Sequence, residues 1–272
     1  MRIDVNGVGV SFEVTGDDDG RPVLLLHGFP DSHRLWRHQL EPLAEAGFRV
    51  IVPDLRRYGG SDKPEALEQY ALPFLAADVL GILDHLGIER AHLVGHDWGA
   101  VLAWAIASLV PDRTDHVVAM SVGFPTALVE AGLPQRQKSW YFLLFQFEGI
   151  AERWLSADGW ANFREWSSHP DADGVISELE ANGSLTPALN WYRANIPPAS
   201  FVEPPLELPA VAAPVMGIWS SGDFALTEEQ MTGSQRFVTG KWRYERIEGA
   251  GHWMQLELPA TVSALLLDFL PT

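Results

Sequence analysis

The 272-residue chain has no cysteine, which excludes a disulfide framework and thiolate chemistry. Basic residues are scarce. Nineteen Lys and Arg stand against 36 Asp and Glu, for a formal net charge of −17. Such a surface repels nucleic acid and anionic membranes, so neither is an expected partner. No run reaches the roughly 18 apolar residues of a membrane span. The nearest, LVGHDWGAVLAWAIASLV (93–110), carries His96 and Asp97 inside it. The N-terminal stretch lacks the basic start and apolar run of a secretory signal. These absences make a cytoplasmic protein the expectation. No His/Asp/Glu spacing reads as a metal site, and no cofactor or metal is expected.

What is present is a rhythm. Nearly half the residues are apolar (47%), enough for a sizeable core. Val8, Val10, Phe12 and Val14 alternate as in a half-buried strand. Short apolar runs follow at 23–28, 49–54, 91–97, 116–123 and 214–223, with a weaker one at 242–249. They suit strands buried on both faces. Helical patterns separate most of them: His33 to Ala46, Leu72 to Leu86, Ala100 to Leu109, and a closing Leu256 to Leu270. Alternating strand and helix predicts an α/β fold with a mostly parallel sheet. Between about Pro125 and Pro209 the rhythm breaks. That stretch holds Trp140, Trp154, Trp160, Trp166 and Trp191 and no strand run. It reads as a helical cap inserted into the core. The expected division is 1–125 core, 126–205 cap and 206–272 core.

Gly95-His96-Asp97-Trp98-Gly99 follows an apolar strand and precedes a helical pattern. The frame is that of the nucleophile elbow Gly-x-Ser-x-Gly, with Asp97 where serine is usual. The plainer reading is a helix N-cap. Two other residues favour the elbow. Asp223 and His252 each follow an apolar strand, and the order nucleophile, acid, histidine is that of a hydrolase triad. Asp223 would orient the His252 ring. His27 and His96 flank the site and fit loop-supporting hydrogen bonds. The remaining histidines carry no motif.

HGFPDS (27–32), DLRRYGGSDKP (54–64), GHDWGA (95–100), SGDFAL (221–226) and GAGHWM (249–254) together resemble the α/β-hydrolase family over essentially the whole chain. The closer resemblance is to its epoxide hydrolase and dehalogenase branch. It implies oxyanion donors at the backbone N–H groups of Phe29 and Trp98, and a cis Phe29–Pro30 bond. A carboxylate nucleophile suits saturated carbon, where attack gives an ordinary alkyl ester. His252 would then activate the water that hydrolyses it.

The branch also implies a ring-opening tyrosine in an Asn-Trp-Tyr-Arg stretch, here Tyr192 in NWYR (190–193). Its second tyrosine aligns with Leu144, a departure. Tyr141 lies three residues earlier, nearly one helical turn. Trp98 is shared with haloalkane dehalogenases, but other dehalogenase features are missing. Fluoroacetate dehalogenases carry arginines where Trp98 and Val101 stand, and many haloalkane dehalogenases carry Asn at the place of Phe29. Phe29, Trp98, Phe124, Trp140, Phe145, Trp191 and Phe224 are the expected pocket lining. The leading reading is a cofactor-independent epoxide hydrolase acting on a small apolar or aromatic epoxide to give a vicinal diol. A haloalkane or haloacid dehalogenase on the same triad comes second. A catalytically silent binding protein comes third. Whether the chain forms a homodimer is open.

Overall fold

The computed structural model describes residues 1–181, 183–204 and 207–272. Eight strands form one sheet: β1 (Arg2–Val5), β2 (Val8–Thr15), β3 (Arg21–Leu26), β4 (Phe48–Pro53), β5 (Ala91–His96), β6 (Thr114–Met120), β7 (Val215–Ser220) and β8 (Trp242–Ile247). Their order is β1-β2-β4-β3-β5-β6-β7-β8. Only the β1–β2 and β2–β4 pairs are antiparallel. The short β1 has no clear pattern of its own. It is fixed by Asn6-Gly7, both at positive φ, the pattern of a tight hairpin turn.

The fully apolar strands face two cores. Leu24, Leu26, Leu93, Val117 and Ala119 point to one side. Val23, Leu25, Val94, Val118 and Met120 point to the other. This is the period-two consequence of a sheet covered on both faces. Helix α1 (Leu40–Glu45) and, near the C-terminus, α11 (Met254–Glu257) and α12 (Pro259–Phe269) cover the second face. Helices α2 (Leu72–His85) and α3 (Trp98–Leu109) cover the first. Two expected helices are broken. The span 33–46 is a 3-10 turn (His33–Trp36) and then α1, because Pro42 has no N–H to continue the ladder. Pro259 likewise ends α11 and opens α12.

Between β6 and β7 the described chain forms helices and no strand: α4 (Pro125–Glu130), α5 (Gly132–Lys138), α6 (Tyr141–Phe145), α7 (Ile150–Ser167), α8 (Ala172–Ala181) and α9 (Leu185–Asn195). α7 is interrupted by non-helical backbone at Ala157–Trp160. The expected cap boundary at 205/206 lies outside the described residues. Helix α10 (Glu228–Thr232) follows β7. Among the described residues no helix is long and apolar enough to cross a membrane.

A buried ion pair ties the loop after β4 to α2. Arg56 donates Nε and Nη2 to the two Asp78 carboxylate oxygens, each at 2.7 Å. The Arg56 carbonyl accepts the Trp191 indole N–H at 3.2 Å, which anchors α9. Asp78→Ala would strand a buried guanidinium. The expected loss is about 3–5 kcal/mol of unfolding free energy, measured by urea denaturation. The double change Arg56→Met with Asp78→Leu should cost clearly less, because no charge is left unpaired.

Candidate active site

After β3 the chain goes to β4 on one side, and it later returns to β5 on the other. The loops leaving β3 and β5 therefore diverge and open a crevice at the strand C-terminal ends, where open α/β sheets place their sites. Asp97 stands there, just after β5, at φ 54° and ψ −122°. That backbone is costly for a non-glycine residue and persists only where packing enforces it. Packing does so here. A Cβ on Gly95 would collide with the Gly99 carbonyl, one on Gly99 with the Leu26 carbonyl, and one on Gly28 with the Asp97 carboxylate. Asp97 stands at the N-cap position of α3, but its carboxylate makes no capping bond to the N–H groups further into the first turn.

Asp97 Oδ1 accepts the Phe29 N–H at 2.8 Å, across a loop whose Phe29–Pro30 bond is cis. The Trp98 N–H also bonds the carboxylate. Burial nevertheless pushes the Asp97 pKa up to about 6, against the pull of His252 and of these two amides. His252 Nε2 is 3.9 Å from Asp97 Oδ2, and its Nδ1 donates to Asp223 Oδ2 at 3.0 Å. Asp223 Oδ1 accepts the Ala225 and Leu226 N–H groups, each at 2.9 Å. Burial lowers the His252 pKa, but Asp223, with Asp97 and Asp31 adding to it, makes the net shift upward. For Asp223 burial acts upward, and His252 with its other donors carries the net shift down.

Ser121, which the sequence reading passed over, joins this group. Its hydroxyl donates to Asp223 Oδ2 and lies 2.9 Å from His252 Nδ1. Its backbone is at φ 70°, held by N–H to the Ile218 carbonyl and by Gln230 Nε2 on its own carbonyl. The available signal was position: Ser121 directly follows β6, and Asp223 lies just beyond the neighbouring β7. A second network was also missed. Asp31 accepts His169 Nε2–H at 3.1 Å and the Trp253 indole N–H at 2.9 Å. It ties the β3 loop, the chain after α7 and the His252 loop. His27 accepts the Leu55 N–H at 3.0 Å through Nε2, so Nδ1 donates to Gly28 O. His96 donates Nε2–H to the His252 carbonyl at 2.9 Å. Burial keeps both rings neutral, at pKa values of about 4 and about 3.

Two cavities meet at Asp97. The larger, about 430 Å³, is walled mainly by apolar side chains including Trp98, Val101, Val122, Leu128 and Leu226. The smaller, about 10 Å³, is walled by Phe29, Trp166, Phe224, His252 and Trp253. Asp97, Tyr141 and Tyr192 line both. The two tyrosine rings are 6.1 Å apart. Burial, reinforced by the Asp97 charge, raises both hydroxyl pKa values well above 10, so each stays a proton donor. Leu144 is half-buried and lines neither cavity.

Of the expected lining residues, Trp98 borders the larger space, and Phe29 and Phe224 the smaller. Four others stand outside both walls. Phe124 stacks on Phe237 at 4.4 Å. Phe145 packs behind Tyr192 at 5.0 Å, and Trp191 behind Trp98 at 5.7 Å. Trp140 is 44% exposed and leans on Trp154. Apolar character put them in the core or at the surface, and the tertiary packing chose which rings border the empty space. Among the described residues, no group of three or more His, Asp or Glu side chains could hold a metal ion.

Comparison with known proteins agrees with this geometry. Residues 21–259 match the model of the alpha/beta hydrolase fold family. Epoxide hydrolase A of Mycobacterium tuberculosis (strain ATCC 25618 / H37Rv) is 35% identical, over 98% of this chain and 96% of that protein. The crystal structure of Epoxide Hydrolase A from Mycobacterium thermoresistibile superposes with a TM-score of 0.84 at 31% identity, over 99% of this chain and 97% of that one. The Bacillus megaterium epoxide hydrolase in complex with an inhibitor gives a TM-score of 0.89 at 28% identity, over 99% of both chains. The chain is therefore a hydrolase that belongs to the α/β hydrolase fold family, in its epoxide hydrolase branch.

Proposed function

We propose that the protein opens small apolar epoxides to vicinal diols through an ester on Asp97. One observation carries this reading. A buried carboxylate is flanked by two tyrosines at the larger cavity and by His252 at a space of about 10 Å³, roughly one water. Oδ1 is occupied by the Phe29 amide, so Oδ2 is the attacking oxygen. It forms a bond to a ring carbon as the carbon–oxygen bond of the ring breaks. The alkoxide takes a proton from Tyr141 or Tyr192. Two hydroxyl donors suit this leaving group, whereas halide needs no proton.

In the second step His252 Nε2 takes a proton from water, and the hydroxide adds to Cγ of Asp97. The Phe29 and Trp98 amides stabilise the oxyanion, as preorganised donors do in a water-poor site. Collapse breaks the Cγ–O bond to the alkyl group, and the imidazolium protonates the departing oxygen. The carboxylic acid left on Asp97 returns its proton to the tyrosinate through solvent. Epoxide and water become diol, and Ser121 and Asp223 keep the His252 ring aimed throughout.

The decisive experiment is intact-protein mass spectrometry of His252→Ala after exposure to an aryl epoxide or a haloalkane. The expected result is gain of one whole epoxide mass, absent when Asp97→Asn is added. Gain of an alkyl group with halide released would assign a dehalogenase instead. No adduct from either compound would favour a silent binding protein. Single turnover in ¹⁸O-water should leave the label on Asp97 and yield unlabelled diol. Label in the diol would mean direct attack by water.

The proton states set the pH profile. Asp97 must be ionised to attack, so ester formation should fall as pH drops through about 6. His252 must be neutral to accept a proton, and its pKa is raised above 6.5. Esterification removes the Asp97 charge but leaves Asp223, the stronger of the two influences. Hydrolysis should therefore slow as well on acidification, which quenched-flow of ester decay across mildly acidic pH checks. Tyr192→Phe should slow ester formation by about 10²-fold or more. Asp97→Asn should be inactive yet melt at a higher temperature above pH 6. A carboxyl raised from 3.8 to about 6 costs the folded state on the order of 3 kcal/mol once ionised. Below the unfolded pKa, at about pH 3, that gain should vanish.

A further inference from the structure

We infer that the site takes epoxides whose bulk lies on one side of the ring, above all terminal epoxides with a single extended apolar arm. This rests on the epoxide reading above and specifies its substrate class. The argument is the inequality of the two spaces that meet at Asp97. On one side lies about 430 Å³ walled by Val101, Val122, Leu128, Phe142, Ile196 and Leu226. On the other lies about 10 Å³. The ring itself must sit at the partition, because Asp97, Tyr141 and Tyr192 are the residues common to both walls.

The small side cannot give way cheaply. Its wall is a continuous set of ring contacts. Trp166 packs on Tyr141 at 4.8 Å and on Phe224 at 5.5 Å. Phe224 packs on His252 at 5.7 Å and lies nearly parallel to Trp253 at 5.9 Å. Enlarging it would move the rings that hold His252 and Tyr141 in place. It is also the space beside His252, so a substituent lodged there would displace the water that the second step consumes. A trans-1,2-disubstituted epoxide carries its two groups on opposite faces of the ring, and one of them must enter this space. A terminal epoxide directs its single arm into the larger cavity, whichever ring carbon is attacked.

The test compares two isomers of equal composition, 1,2-epoxyoctane and trans-4,5-epoxyoctane. The expected kcat/KM is at least about 100-fold higher for the terminal isomer. Terminal epoxides are also less hindered in themselves, so the wall is tested directly with Trp166→Ala. This variant should raise turnover of the trans isomer at least about tenfold and shrink the ratio between isomers. Phe224→Ala serves the same purpose should Trp166→Ala fail to fold. A wild-type ratio within about threefold would overturn the one-sided site and leave epoxide hydrolysis standing. So would an unchanged ratio in a folded wall variant. Neither isomer hydrolysed, and neither adding its mass to His252→Ala, would overturn the epoxide reading and this inference with it.

Discussion

Everything in the site is arranged around one carboxylate kept out of water. An ionised Asp97 in an apolar pocket is unfavourable, and burial raises its pKa to about 6 in spite of two amide donors and a nearby imidazole. In the proposed mechanism this desolvation makes the carboxylate more reactive toward carbon. It also means that the fold must hold Asp97 where it would not sit by itself. The left-handed backbone at Asp97 and the glycines at 28, 95 and 99 are the local means.

A second constraint is that the acid–base partners come from separate parts of the chain. Asp97 follows β5, Ser121 follows β6, Asp223 follows β7, and His252 follows β8. These strands lie side by side in the sheet, so their C-terminal ends deliver the four groups to one line. The parallel register does this although the whole run of helices α4–α9 separates β6 from β7 in the chain. The tyrosines arrive from the opposite direction, on α6 and α9, and α9 is pinned from below by Trp191 on the Arg56 carbonyl. Asp31 joins the two halves through His169 and Trp253. Movement of the helices over the sheet would therefore be felt at the His252 loop.

The sequence by itself determined the parts that depend on local rules. Short continuous apolar runs separated by helical patterns specify an α/β sheet. A tight strand–turn–helix with small residues around Asp97 marks the turn after β5, and the strand-end positions of Asp223 and His252 mark the side chains that the structure brings next to it. Prolines at 42 and 259 were legible breaks, although a helix drawn by apolar spacing ran across both. Tertiary structure decided what depends on which surfaces meet. Ser121 has no motif, and its contact with Asp223 and His252 exists because β6 and β7 are neighbours. Tyr141 rather than Leu144 borders the cavity because α6 packs with that ring toward Tyr192. Phe124, Phe145 and Trp191 are as apolar as the residues that do line the space, but they fill core behind it. The inequality of the two cavities is likewise a property of packed rings, since empty volume is what remains after every side chain has found its neighbours.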